Sequence, residues 1–321
     1  MPSAIVVAEP GGPDVLTLQT VDRPVPGPGQ LLVRVAAAGV NFIETYQRSG
    51  AYAVELPFTP GAEAAGTVEE IGEGAAGFAP GDRIAFAEGR ATYAEFAVVD
   101  ADKALPVPDG VDLETAAALP LQGMTAHYLI NSTFQVQPDH TVLLHAGAGG
   151  VGLLLIQLLK SKGARVITTV STREKEDLAR RAGADKVLRY DGFAEATRTL
   201  TDGTGVDVVF DGVGRSTFEK SLRSLRIRGT LVVYGAASGA VPPFDVQRLN
   251  SGGSLFVTRP TLAHYLLTPE ERRWRSEELF GAVAAGHLDV RIGARYPLAD
   301  AARAHEDLQA RRTTGKVLLI P

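Results

Sequence analysis

The chain has 321 residues, 45% hydrophobic and 21% charged, with a formal net charge of −5. That is the make-up of a globular protein of two domains, not of a disordered one. The mild acidity gives no electrostatic case for binding nucleic acid or an anionic membrane. The absence of cysteine excludes disulfides and thiolate-held metals, and leaves open only metal sites built from His and carboxylates. Arginine outnumbers lysine 25 to 7. No basic region followed by an apolar stretch opens the sequence, so a cytosolic protein is expected.

In chain order, the first ~120 residues read as β-rich. Short β-branched or alternating runs at Ala4–Ala8, Leu31–Ala38, Ala65–Ile71, Arg83–Ala87 and Tyr93–Val99 are separated by turn signals such as Pro80-Gly81-Asp82 and Pro108-Asp109-Gly110. The pattern predicts a compact, barrel-like β domain. From Thr141 onward, apolar strands alternate with helix-length segments. Strands are expected at Val142–Ala146, Arg165–Val170, Lys186–Leu188, Val206–Phe210, Thr230–Tyr234 and Ser254–Val257. Helices are expected at Gly150–Lys162, Arg173–Ala182, Phe193–Thr201 and Ser216–Leu225. Such alternation means right-handed crossovers and a parallel sheet covered on both faces. Two helices, Pro269–Ala285 and Leu298–Ala310, and a last strand, Gly315–Ile320, form a tail that is expected to return to the first domain. The domains are therefore read as 1–124 with 261–321, and 125–260.

The sharpest local motif is Gly147-Ala-Gly149-Gly150-Val-Gly152, a G-x-G-x-x-G that follows a strand and opens a helix. Small residues there permit a tight turn, close approach of a pyrophosphate and close helix–strand packing. The free N–H groups of the helix's first turn then face the anion. About 20 residues on, an NAD-binding fold usually carries Asp or Glu at the tip of the second strand. This chain instead reads Ser171-Thr172-Arg173-Glu174-Lys175. Hydroxyls and cations suit a 2′-phosphate, so NADPH is expected over NADH.

The order of these features resembles the medium-chain dehydrogenase/reductases over nearly the full length, and within them the zinc-free quinone oxidoreductase (zeta-crystallin-like) family. The likeness is carried by the stretches Ala38–Gly50, Pro60–Val68, Ala79–Ile84, the glycine loop and Gly253–Pro260. It implies an α/β protein with a GroES-like, β-barrel-type catalytic domain and a doubly wound, parallel-sheet Rossmann cofactor domain. Zinc members carry a Cys at or beside the place of Asn41, and a His where Ala62 precedes Glu63. The ligands are thus missing here, and no pair among the six His has metal-ligand spacing. By resemblance, Gly150 and Val151 lie under the pyrophosphate. Ser171, Thr172 and Lys175 surround the 2′-phosphate, with Tyr190 near the adenine. Asn41, Phe42, Tyr46 and Thr125 border the nicotinamide end. Gly235, Ser238, Phe256 and Thr258 close the cofactor cleft, and Arg311 reaches the cofactor from the tail.

Without zinc ligands there is no Lewis acid to polarise an alcohol. The expected reaction is hydride transfer from NADPH to a quinone, with an activated alkene as the alternative acceptor and NADPH binding with little turnover as a third reading. The proton for the reduced oxygen comes from Tyr46, Tyr52 or solvent, the tyrosines being otherwise aromatic cover for the cofactor. Asn41 holds a substrate carbonyl, or else the cofactor ribose or local backbone. Glu63 is expected to satisfy a backbone group or an Arg, and Asp207 and Asp211 to form strand-end turns. The cluster Glu270–Glu278 is read as a solvated helix face with Trp274 as its anchor. A homodimer through the last strand of the parallel sheet, around Phe256, is implied by resemblance.

Overall fold

In the computed structural model, which describes Met1–Pro321, the chain forms two units: Met1–Met124 with Thr268–Pro321, and Thr125–Leu267. Up to Tyr128 the elements are β1 (Ser3–Val6), β2 (Thr17–Thr20), β3 (Gln30–Val40), α1 (Phe42–Arg48), β4 (Ala64–Ile71), β5 (Arg83–Phe86), β6 (Phe96–Asp100), β7 (Leu105–Pro106), α2 (Leu113–Ala118) and α3 (Pro120–Tyr128). The second unit continues with β8 (Thr141–Leu144), α4 (Gly150–Ser161), β9 (Arg165–Val170), α5 (Arg173–Arg181), β10 (Lys186–Arg189), α6 (Phe193–Leu200), β11 (Val206–Asp211), α7 (Phe218–Ser224), β12 (Leu225–Val233), α8 (Gln247–Ser251) and β13 (Phe256–Thr258). The tail supplies α9 (Pro269–Ala284), β14 (Ile292–Pro297), α10 (Ala301–Gln309) and β15 (Lys316–Ile320).

The first unit is built on a seven-stranded sheet in the order β14-β15-β3-β4-β5-β7, with β6 also paired to β3. Its core gathers Leu31, Val33, Val35, Val68, Ile84 and Phe86. The tail is stitched in by β15, which runs antiparallel to β3 with Val317 opposite Val40 and Leu319 opposite Ala38. Val317, Leu318 and Leu319 are fully buried, each contributing roughly 1.5–3 kcal/mol of apolar burial. This register brings Lys316 beside Asn41, the residue that follows β3.

The second unit is a six-stranded parallel sheet in the order β10-β9-β8-β11-β12-β13. Sequence order reverses between β8 and β11, and the crevice beyond the carboxyl ends of the strands at such a switch point is where doubly wound sheets bind ligands. Tyr265 stacks on Tyr128 with ring centroids 4.3 Å apart and planes 7° from parallel. That contact keeps residues 261–267 with this unit rather than with the tail.

Two expectations change. The cluster Glu270–Glu278 is not a wholly solvated face, and Trp274 is not its anchor. Arg275 is fully buried, Arg272 is buried and donates to Glu88 at 2.7 Å, and Trp274 stands 41% exposed with its Nε1 donating to Glu278 at 2.6 Å. Long guanidinium side chains bury their stems when their heads find partners. Sequence periodicity also passed over α1, a helix of seven residues with Asn41 as N-cap and a reciprocal capping box to Glu44. Its signal was the Asn-x-x-Glu spacing.

Candidate active site

The glycine loop joins β8 to α4, and each glycine answers a different constraint. A Cβ on Gly147 would lie 2.2 Å from the Thr168 hydroxyl, and one on Gly152 would lie 2.3 Å from the Ala146 carbonyl oxygen. Both positions are closed by packing. A Cβ on Gly149 would meet only the Ala146 oxygen, at 3.2 Å, so that face of the loop is open. Gly149 is the N-cap of α4 and no side chain caps the helix. The first-turn N–H groups at Gly150 and Val151 are thus offered to an anion, as a pyrophosphate requires. The residues present fit a dinucleotide.

Beside the loop, β9 ends at Val170, and Ser171 and Thr172 lie exposed at its tip. The Thr172 hydroxyl accepts from the Lys175 backbone N–H at 3.2 Å, capping α5. The same cap places the Lys175 side chain one turn from the strand tip. Tyr190 lies over His145, with centroids 6.1 Å apart and planes 26° from parallel.

His145, directly before the loop, is the centre of a fully buried chain of hydrogen bonds that the sequence did not reveal. Asp211 accepts from the backbone N–H groups of Val213 and Gly214 at 2.8 and 2.9 Å, and from the hydroxyls of Thr217 and Ser221 at 2.7 and 3.0 Å. Asp211 therefore forms the expected turn and is also a buried hub. Burial pushes the His145 pKa down, against the pull of Asp211. Further on, a Cβ at Gly235 would lie 2.6 Å from the Gly212 oxygen, so glycine there lets the end of β12 pack against the end of β11. The Ser238 hydroxyl donates to Val213 O at 2.7 Å and accepts from the Ser216 N–H at 3.0 Å. It ties the loop after β11. Phe256 is 60% exposed on the edge strand β13, and Thr258 is half-buried at its end.

In the first unit, α1 and the turn after it bring three of the expected site residues together. Phe42 and Tyr46 have ring centroids 6.4 Å apart, and Tyr46 and Tyr52 5.3 Å. Tyr52 is half-exposed at the end of this aromatic row. Asn41 lies elsewhere in its chemistry. Its Nδ2 donates to Glu63 Oε2 at 2.9 Å and its Oδ1 accepts from the Lys316 ammonium at 2.7 Å. Both ends of the amide thus have partners inside the protein, while the second Nδ2 proton meets only the Gly39 oxygen at 3.5 Å. Glu63 takes Lys316 as its cation, not an Arg, and its Oε1 accepts from the Leu121 N–H at 2.8 Å. The signal for Lys316 was slight: one of seven lysines, opening the apolar run Val317–Ile320. Arg311 is exposed past the end of α10, in a left-handed conformation with φ 58°. Thr125, the first residue of the second unit, is buried on α3.

Next to this network, burial holds the Glu44 carboxyl up to about 8, against the pull of the Lys316 ammonium. His305 accompanies Arg48 and Tyr93, with Tyr93 Oη 3.0 Å from its Nε2, and burial lowers it to about 3. No three His, Asp or Glu converge in a way that would hold a metal ion. The donor atoms of Asn41 and Glu63 are already engaged by an internal ammonium, so the residues do not fit zinc. A cavity of about 480 Å³ beside α9 and β7 is lined by Leu105, Pro106, Arg272, Arg273 and Phe280 among others. None of the expected site residues borders it.

Comparison with known proteins agrees with this anatomy. A family model described as an alcohol dehydrogenase GroES-like domain matches residues 27–109, and one described as a zinc-binding dehydrogenase matches residues 150–274. The quinone oxidoreductase of Pseudomonas aeruginosa is 44% identical over 325 residues, covering 100% of both chains. The 2-haloacrylate reductase of a Burkholderia species is 41% identical, covering 100% of this chain and 99% of its own. The structure of mycobacterial Rv1454c complexed with NADPH superposes with a TM-score of 0.97 at 52% identity, covering 99% of this chain and 100% of that one. The chain belongs to the zinc-free quinone oxidoreductase family of the medium-chain dehydrogenase/reductases.

Proposed function

We propose that this protein reduces quinones with NADPH by direct hydride transfer. The observation that carries the reading is the uncapped N-terminus of α4 behind an open glycine face, next to a strand tip that offers Ser171, Thr172 and Lys175 where a carboxylate would mark NAD. Similarity to a quinone oxidoreductase over the whole chain supports the acceptor, and similarity to a protein solved with NADPH supports the cofactor.

When bound, NADPH supplies the hydride; the chain's work is binding, orientation and water exclusion. Gly149, Gly150 and Val151 take the pyrophosphate, and Gly147 and Gly152 shape the loop that holds it. Ser171, Thr172 and Lys175 take the 2′-phosphate, with Tyr190 towards the adenine. Gly235, Ser238, Phe256, Thr258 and Arg311 complete the cofactor set. Phe42, Tyr46 and Thr125 border the nicotinamide end, and the row of tilted rings Phe42–Tyr46–Tyr52 is an aromatic wall against which a planar acceptor packs. The exposed Tyr52 hydroxyl, or solvent, returns the proton to the reduced oxygen. Asn41 acts from inside, as the cap of α1.

A second acceptor class, the electron-poor alkene, is favoured by the similarity to a 2-haloacrylate reductase. The separating experiment follows the fall of nicotinamide absorbance with purified protein, NADPH and a panel of quinones, enones and haloacrylates. Faster turnover of alkenes than of every quinone would displace the quinone reading. No helix is long and apolar enough to cross a membrane, and we place the protein in the cytosol. β13, with Phe256 and the neighbouring Ile227 60% and 71% exposed, is the edge through which two copies pair as a homodimer.

A further inference from the structure

The most deeply buried ion pair of the first unit takes no part in the chemistry above, yet it holds the starting points of two helices that do. The side chains of Lys316 and Glu63 are 1% and 0% exposed. Lys316 also donates to Asn41 Oδ1 at 2.7 Å, and Asn41 Nδ2 donates to Glu63 Oε2 at 2.9 Å. Asn41 is the N-cap of α1, its own N–H bonded to Glu44 Oε2 at 2.7 Å. The other oxygen of Glu63 accepts the Leu121 N–H at 2.8 Å, in the first turn of α3. Three groups therefore join β15, the entrance of α1 and the entrance of α3 in one closed set of hydrogen bonds. The backbone is shaped around it: a Cβ on Gly39 would lie 2.3 Å from Glu63 Oε2 and 2.8 Å from Lys316 Cε.

A buried ion pair is a costly way to obtain stability, because apolar side chains of similar volume often serve as well or better. What the pair supplies that they would not is direction. The ammonium fixes which end of the Asn41 amide faces which partner, and the carboxylate fixes the first turn of α3. We propose that Lys316 is a positioning residue for quinone reduction, setting through Asn41 and Glu63 where α1 and α3 begin and hence where Phe42 and Tyr46 stand. This rests on the reading of α1 as the wall of the acceptor site.

The test compares the full-length protein with Lys316→Met and with the neutral double variant Lys316→Met/Glu63→Gln, measuring kcat and the KM for NADPH with one quinone. In Lys316→Met the Glu63 carboxyl loses its cation and the Asn41 Oδ1 loses its ammonium donor. The expected result is a kcat lowered about tenfold, as small misplacements of a positioned group produce. The KM for NADPH should change much less, since the phosphate-binding groups are untouched. The double variant buries no charge, so it carries the test if the single variant does not fold. Its kcat should stay low in the same way, with the KM for NADPH little changed. Wild-type kcat in either variant, folded cooperatively, would overturn the proposal. A wild-type protein inert towards every quinone would instead tell against the activity itself.

Discussion

The Nε2 of His145 lies 2.9 Å from the Ser221 hydroxyl, and the direction of that bond is fixed from the far side. Ser221 donates to Asp211 at 3.0 Å, so it must accept from His145. The imidazole therefore carries its proton on Nε2, and Nδ1 accepts from the Thr169 hydroxyl at 2.8 Å. The chain links the ends of β8, β9 and β11 with α7 directly beneath the glycine loop. Ser221→Ala strands the Nε2–H of a fully buried ring, while Asp211 keeps Thr217. The expected loss is about 2 kcal/mol, read as a lower denaturant midpoint. An unchanged midpoint would mean the ring turns to another partner.

Gly149 and Gly147 separate binding from folding within one loop. Gly149→Ala meets only a carbonyl at 3.2 Å, so the variant should fold with a small drop in Tm. The methyl group enters the face left open for the pyrophosphate, and NADPH affinity should fall about tenfold, a loss of about 1.4 kcal/mol. Gly147→Ala collides with Thr168 and should lower Tm far more. Calorimetric titration and thermal melting of the two proteins check the contrast. Equal effects of both substitutions on melting would remove the distinction.

Lys175→Ala should weaken NADPH binding about tenfold or more, the worth of a charge-assisted bond to phosphate, and leave NADH nearly unaffected. The ratio of the two dissociation constants is the measurement. Equal losses for the two cofactors would remove the case that Ser171, Thr172 and Lys175 read a 2′-phosphate.

Glu44 makes stability fall on the alkaline side. In the folded protein its carboxyl keeps a proton up to about 8, while the ordinary value is 4.5. As pH rises past the ordinary value, the unfolded chain releases that proton and the folded one does not, so unfolding is favoured progressively until the folded carboxyl also ionises. His305 works in the opposite sense. It stays neutral in the fold down to about 3 against an ordinary 6.5, so its cost appears only as pH falls below 6.5. Below 6.5 the Glu44 trend is opposed by His305 and also by His145, whose pKa burial lowers as well; from 6.5 to 8 Glu44 acts alone, at about 1.4 kcal/mol per pH unit. Urea unfolding should show the wild type losing about 2 kcal/mol over that interval. Glu44→Gln, which can still accept from the Asn41 N–H, should not. A wild-type stability that is flat from pH 6.5 to 8 would show that Glu44 is ionised in the fold.

What the sequence by itself determined was whatever is written in local spacing. The switch from period-two runs to strand–helix alternation placed the two sheets. The glycines at 147, 149 and 152 marked the anion-binding turn, and Ser171-Thr172 without a carboxylate pointed to a phosphorylated cofactor. The tertiary structure alone decided how the polar interior is wired. Lys316 meets Asn41 across 275 residues, Ser221 meets His145 across 76, and Arg272 reaches Glu88 across 184. Such pairings leave no periodic trace, because they are made by strand register and closed packing rather than by any preference of neighbouring residues. For the same reason nothing local announced that the Asn41 amide, expected at a substrate carbonyl, the cofactor ribose or the local backbone, meets Glu63 and Lys316 inside the fold.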